Sequence, residues 1–188
     1  YKSLYSGAFY ERFIEGKWVT AQGLVYPMFS PERHIKKCKG KFNRFYLSCD
    51  YGTVNPFSLG LWGECDGKWF RLDEYYYSGR DNGIQLTDEE YYRELEKLAE
   101  NREITALIID PSAASFIQTV LRHGKFRVVK ANNDVLTGIN RVCQALKDEE
   151  IFIYPACTDA IREFSIYRWV DNIKKDAVKK ETDLAMDD

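Results

Sequence analysis

The sequence predicts an α/β fold with a mixed five-stranded sheet, three antiparallel strands followed by parallel crossovers, flanked by helices. Three observations lead there. Strand-like runs at Phe45–Asp50, Phe57–Gly63 and Lys68–Tyr77 follow one another with only turns between them, so a meander opens the sheet. After them, helical periodicity alternates with short apolar runs, the pattern of crossover connections. A length of 188 residues with an ordinary apolar content buries one core and does not require several domains.

Taken in order, residues up to Phe42 hold no clean period and are punctuated by Gly16, Gly23, Pro27, Pro31 and Gly40. They read as a strap or linker with at most short strands. The meander follows, with Cys65-Asp66-Gly67 as the hairpin turn between its second and third strands. Thr87-Asp-Glu-Glu90 is a capping box, and Tyr91, Tyr92, Leu95 and Leu98 recur behind it at helical spacing up to about Asn101. A buried strand is expected over Ile104–Asp110, then a helix from about Ser112 to His123 ended by Gly124, and a strand from Phe126 to Lys130. A helix from Val135 to Lys147, a short strand from Ile151 to Tyr154, a helix from Thr158 to Trp169 and a last helix near Thr182 complete the chain. The order βββαβαβαβαα contains six strand segments for a sheet expected to hold five.

Bulk properties exclude several classes. A formal net charge of -2 gives no global field that draws in nucleic acid, although Arg33-His-Ile-Lys-Lys-Cys-Lys-Gly-Lys41 and Lys174-Lys-Asp-Ala-Val-Lys-Lys180 are local basic runs able to meet phosphate, or simply solvated loops. No apolar run is long enough to span a bilayer and the first residues lack the basic start and apolar middle of a signal peptide, so a soluble protein without membrane partners is expected. The five cysteines are odd in number and form no zinc-spaced pairs, which reads as reduced thiols in a cytosol. No Gly-x-x-x-x-Gly-Lys-Ser/Thr loop occurs, so nucleotide binding through a P-loop is not expected.

The chemistry lies in the acids. Asp50 closes the first apolar strand just before Tyr51-Gly52, Asp110 closes Thr105-Ala-Leu-Ile-Ile and precedes Pro111-Ser112, and Asp183, Asp187 and Asp188 gather at the other end of the chain. If the first strand lies beside the strand after the first long helix, Asp50 and Asp110 end adjacent parallel strands and can share a cation. Such hard oxygen ligands suit Mg²⁺ or Mn²⁺. In a two-metal site one ion generates the attacking hydroxide and the other stabilises the leaving oxygen. Plainer readings exist for each acid: Asp50 as a turn residue, Asp110 as the N-cap of the next helix, Asp187 and Asp188 as solvated surface acids. Glu74 on the third strand is either an inward carboxylate approaching the metals or exposed edge decoration. Tyr75 to Tyr77 and Tyr91-Tyr92 could stack on bases, but core packing accounts for them more simply. His123 reads as a helix C-terminal residue and His34 as a loop residue, neither with a chemical role. A competing reading takes Asp50-Tyr-Gly-Thr53 as the first phosphate loop of an actin-like or sugar-kinase ATPase, which needs a second glycine-rich loop not visible here.

Gly16-Lys-Trp18 through Gly23-Leu-Val-Tyr-Pro27, Asp50-Tyr-Gly52, Ile109-Asp-Pro-Ser112, Asn132-Asn-Asp-Val135 through Gly138-Ile139, and Lys175 through Asp187 share order and spacing with one family. Over nearly its whole length the chain resembles the C-terminal nuclease domain of the large terminase subunit of tailed bacteriophages, in the RNase H-like (retroviral integrase) superfamily. The resemblance implies a metal-dependent endonuclease that cuts double-stranded DNA with little sequence preference during viral genome packaging. It maps the catalytic, metal-binding acids to Asp50, Asp110 and Asp187, around two Mg²⁺ or Mn²⁺ ions. Where the family often has histidine, three positions before the last acid, this chain has Leu184. The second ion would then lean on Asp183 or Asp188, with Glu74 a further candidate, and a domain with a weak or inactive site that only binds DNA or motor partners is the alternative. The resemblance further implies that residues 1–42 are a strap from an upstream ATPase domain of the same polypeptide and residues 43–188 the nuclease. Its implied partners are the portal protein and the small terminase subunit, in the host cytoplasm.

Overall fold

A computed structural model describes residues 23–52, 56–170 and 177–178 of the chain. Strands β1 (Arg44–Asp50), β2 (Phe57–Cys65) and β3 (Lys68–Tyr77) form the expected antiparallel meander. Asp66 and Gly67 turn β2 into β3 with φ of 53° and 74°, the two positive values that a tight hairpin needs to match strand twist. Strand β4 (Ile104–Ile109) lies parallel beside β1, and β5 (Val128–Lys130) lies parallel beside β4. Among the described residues the sheet holds six strands and not five, because β6 (Ile151–Ile153) pairs in parallel with Trp69–Arg71 on the outer side of β3. Its order is β5-β4-β1-β2-β3-β6. The sixth strand takes up ladder groups that the meander leaves open along β3.

Six helices among the described residues surround it: α1 (Pro31–His34), α2 (Gly79–Asn82), α3 (Asp88–Ala99), α4 (Ala114–His123), α5 (Val135–Lys147) and α6 (Thr158–Ile166). Helix α3 begins on the predicted capping box, with Thr87 and Glu90 each accepting from the other's backbone N–H. Helix α4 ends at Gly124, whose φ of 66° a side chain would oppose. Strand alternation sends Leu47 and Cys49 to one face, where they meet Leu59, Leu61, Leu107 and Ile109. The stripe of α3 at Tyr91, Tyr92, Leu95, Leu98 and Ala99, together with Phe116 and Val120 of α4, covers that face. Each large apolar side chain taken fully from water there stabilises the fold by about 2 kcal/mol.

A second cluster joins Val25 and Tyr26 to Ile139, Cys143 and Leu146 of α5, Ile153 of β6, and Ala160, Phe164 and Tyr167. Tyr26 stacks on Tyr167 at 5.9 Å. Here the structure corrects two expectations. His34 is fully buried and not a loop residue: its Nδ1 accepts from the Ser30 N–H at 3.0 Å, and its Nε2 contacts the Leu146 carbonyl at 2.9 Å. The helix expected to reach Trp169 stops at Ile166, because Tyr167 turns extended and the strap claims the backbone groups beyond. The Tyr167 carbonyl accepts from Val25 N–H at 2.9 Å, and Trp169 N–H donates to the Gly23 carbonyl at 3.2 Å. Trp169–Val170 (β7) then pairs antiparallel with Ala177–Val178 (β8). The helix expected near Thr182 lies outside the described residues.

Candidate metal centre

Both central acids stand at one edge of the sheet because β1 and β4 run parallel. Cys49 pairs with Ile109, so Asp50 and Asp110 are the next residues on neighbouring strands. Backbones about 4.8 Å apart let two carboxylates reach one ion. Cys49 and Ile109 are buried in the first cluster, and alternation turns Asp50 away from it.

Local contacts hold both acids in place. The Oδ1 atom of Asp110 accepts from the Ser112 N–H at 2.6 Å, and its carbonyl accepts from the Ala113 N–H at 3.1 Å. Asp110 therefore organises the turn ahead of α4, while Ala113 and not Asp110 is the helix N-cap. Next to Asp50, the ring of Tyr51 stacks on Phe116 at 5.4 Å and 12° between planes, and its hydroxyl donates to Asp88 Oδ1 at 2.6 Å. Burial, with the Asp88 carboxylate adding to it, pushes the Tyr51 phenol up, so it remains a donor. Tyr51 ties the end of β1 to both α3 and α4.

Across β1 from Asp110 the opposite face carries polar groups. Trp62 Nε1–H donates to Ser48 Oγ at 2.9 Å, and a Cβ at Gly60 would lie 2.7 Å from that oxygen and 3.0 Å from Arg71 Cζ. Glycine at 60 is what lets these side chains meet. Arg71 is 1% exposed, and its Nε is 3.4 Å from Glu74 Oε2. The Glu74 oxygens accept from the Asp159 N–H at 2.7 Å and the Ala160 N–H at 3.2 Å, which caps the start of α6. Burial raises the Glu74 carboxyl although Arg71 and the two amides oppose it. Glu74 is thus neither edge decoration, since its side chain is 7% exposed and held by Arg71 and the start of α6, nor level with the acids. It stands opposite Gly60, two strands from β1, whereas Tyr76 shares the level of Asp50 through Ser58.

On the far side, Ala131 N–H donates to the Ile109 carbonyl at 2.9 Å and brings residues 131–134 beside Asp110. Asp134 caps α5: Thr137 donates to it through its N–H at 3.1 Å and its hydroxyl at 2.6 Å, and these donors hold its carboxyl below the usual range. Among the described residues no three His, Cys, Asp or Glu side chains converge on one point. Asp183, Asp187 and Asp188 lie outside the described residues. Sequence reasoning gave Arg71 no role. The one signal for it was a basic residue flanked by Phe70 and Leu72 inside a strand, and the irregular register between Leu61 and Trp62 that brings it opposite Trp62 has no sequence mark.

No protein-family model matches the chain, and no curated protein sequence does. Among solved structures, the large terminase of a thermophilic bacteriophage matches with a TM-score of 0.89 and 41% identity, over 100% of this chain and 48% of that one. The chain is a relative of the phage large terminases. It spans about half the length of that thermophilic-phage enzyme, whose complexes with ADP and with ATP-gamma-S match it with TM-scores of 0.87 and 0.88. The P22 large terminase nuclease domain matches with a TM-score of 0.65 and 12% identity, over 86% of each chain. The nuclease domain of the SPP1 large terminase, solved with bound Mn, matches at 0.57 and 18%, over 78% of this chain and 83% of that one. At these lower identities the likeness establishes the fold, the RNase H-like fold of terminase nuclease domains.

Proposed function

We propose that this chain is a metal-dependent endonuclease domain of a viral genome-packaging terminase, hydrolysing phosphodiester bonds of double-stranded DNA with little sequence preference. The observation that carries the reading is the side-by-side arrival of Asp50 and Asp110 at the ends of parallel strands, in a sheet shared with terminase nuclease domains. The donor set fits Mg²⁺ or Mn²⁺, which need only one or two protein carboxylates when water and substrate phosphate complete the shell. The manganese in the SPP1 nuclease domain supports the same choice. Asp187 would supply a third ligand, and Asp183 or Asp188 a donor for a second ion where Leu184 provides none. Bound there, a divalent ion would lower the pKa of a water and neutralise charge on the scissile phosphate. The chain's own contribution is orientation: the Ser112 amide fixes one oxygen of Asp110, and Tyr51 anchors the strand end that presents Asp50.

In this reading residues 1–42 form the strap and 43–188 the nuclease, with an ATPase domain upstream in the same polypeptide. The nucleotide complexes of the thermophilic-phage large terminase, which is about twice as long as this chain, support that partner. The portal protein and the small terminase subunit would be the remaining partners, in the host cytoplasm. The deciding experiment incubates supercoiled plasmid with the protein and Mn²⁺ or Mg²⁺, with EDTA and Asp110→Ala as controls. Metal-dependent nicking and linearisation that Asp110→Ala abolishes is expected; cleavage that survives the substitution removes Asp110 from the site.

A further inference from the structure

The last part of the strap, residues 36–42, meets the β2–β3 hairpin at the end of the sheet opposite Asp50. Its Cys38 Sγ lies 2.8 Å from Cys65 Sγ, a pair 27 residues apart in sequence. Two non-bonded sulfurs normally keep well clear of this distance, and a disulfide needs only a further approach to about 2.05 Å. Cys38 is held from other directions as well. Cys38 N–H donates to the Tyr154 hydroxyl at 3.2 Å, and Gly40 N–H donates to Cys38 Sγ at 3.2 Å. A Cβ at Gly40 would stand 2.7 Å from Cys65 Sγ and 3.8 Å from Cys38 Sγ, so the loop passes this close only because residue 40 has no side chain. The other three cysteines, Cys49, Cys143 and Cys157, are buried in the two large clusters.

We propose that Cys38 and Cys65 are a redox modification site, which hydrogen peroxide converts to a disulfide stapling residues 36–42 to the hairpin. Cys38 is the half-exposed member and Cys65 the buried one, so the oxidant reaches Cys38 first. The contact with Cys38, reinforced by burial, pushes the Cys65 thiol up to about 11, which keeps it protonated during that encounter. The Cys38 sulfur attacks the peroxide, the O–O bond breaks, and Cys38 becomes a sulfenic acid while one oxygen leaves as water. The Cys65 sulfur then attacks the Cys38 sulfur, the S–O bond breaks, and the second oxygen leaves as water with the Cys65 proton. Two electrons pass from the sulfurs to the peroxide, and the atoms balance. The staple would close a loop through β1 and β2 and restrain the unfolded chain.

The test is independent of DNA cleavage, so its failure leaves the nuclease reading untouched and the reverse holds too. The full chain is reduced, freed of reductant, treated with one equivalent of hydrogen peroxide, alkylated, and digested for mass spectrometry without reduction. The expected product is an intramolecular Cys38–Cys65 peptide pair lighter by two hydrogens, with a rise in Tm of roughly 5 to 10 °C that dithiothreitol reverses. Cys38→Ser should abolish both the linkage and the rise in Tm; Cys65→Ala should do the same. Recovery of Cys38 as a sulfinic acid or alkylated thiol with no Cys65 partner, or linkage only between separate chains, would overturn the proposal.

Discussion

Asp110 does two things that separate substitutions can pull apart. Its Oδ1 accepts the Ser112 N–H that shapes the turn, and its charge is what a divalent ion would use. Asp110→Asn keeps an acceptor oxygen for the turn and loses the charge; Asp110→Ala loses both. Plasmid cleavage should fall at least about 100-fold in each, as removal of a group that holds the charge of the reacting centre does. Only the alanine variant should also lose roughly 1 kcal/mol in urea unfolding, the net contribution of one such hydrogen bond. Equal destabilisation by both would refute the turn-forming role. The side-by-side placement of both acids at strand ends was legible in the sequence because each closes an apolar run. Glu74 was not, because the amides it receives belong to Asp159 and Ala160, 85 and 86 residues further on, and no local pattern records them. Burial raises its pKa, so the folded state holds this proton more tightly than the unfolded chain does. Stability from this group is therefore present below the ordinary glutamate range and is lost as pH rises through the raised value. Glu74→Gln should make the stability-against-pH curve climb more steeply just above that range; superimposable slopes would show that the group does not titrate as described.

Strands and helices were readable where the pattern is local, and less so where distant backbone decides. The meander, the Asp66-Gly67 turn, the Thr87–Glu90 box and the Gly124 stop each carry their signal within a few residues. The end of α6 does not, since Val25 and Gly23 supply the competing backbone partners from the other end of the chain. The irregular register between β2 and β3 is a second case: it sets Arg71 opposite Trp62. Gly60 is the hinge of that arrangement. Alanine there would force its Cβ to within 3.0 Å of Ser48, Trp62 and Arg71, and the buried Arg71 guanidinium has little room to retreat. Gly60→Ala should therefore cost about 1 to 3 kcal/mol, the usual penalty for overfilling a packed site. Because Ser48 lies on the same face of β1 two residues before Asp50, cleavage by the folded variant should also decline. A variant with unchanged Tm and full cleavage would mean that the polar layer is loosely packed.

Across the whole molecule, two large apolar clusters hold the elements that carry the acids. The first pins α3 and α4 to β1, β2 and β4; the second binds the strap to α5, α6 and β6. Asp50 and Asp110 stand at the ends of strands whose inward residues are fully committed to the first cluster, so the core fixes their positions before any ion arrives. Two carboxylates brought to the ends of neighbouring strands offer oxygens to one ion, and an ion that binds only the folded form stabilises it. Mass action then sets the size of the effect: at about 100 times its dissociation constant such an ion stabilises the fold by roughly 2.7 kcal/mol. For a chain of this length that corresponds to a rise in Tm of about 5 to 10 °C with Mn²⁺. Asp50→Asn should remove most of that rise, because the substitution removes a charged ligand. A metal-dependent rise that persists in Asp50→Asn would place the ion elsewhere.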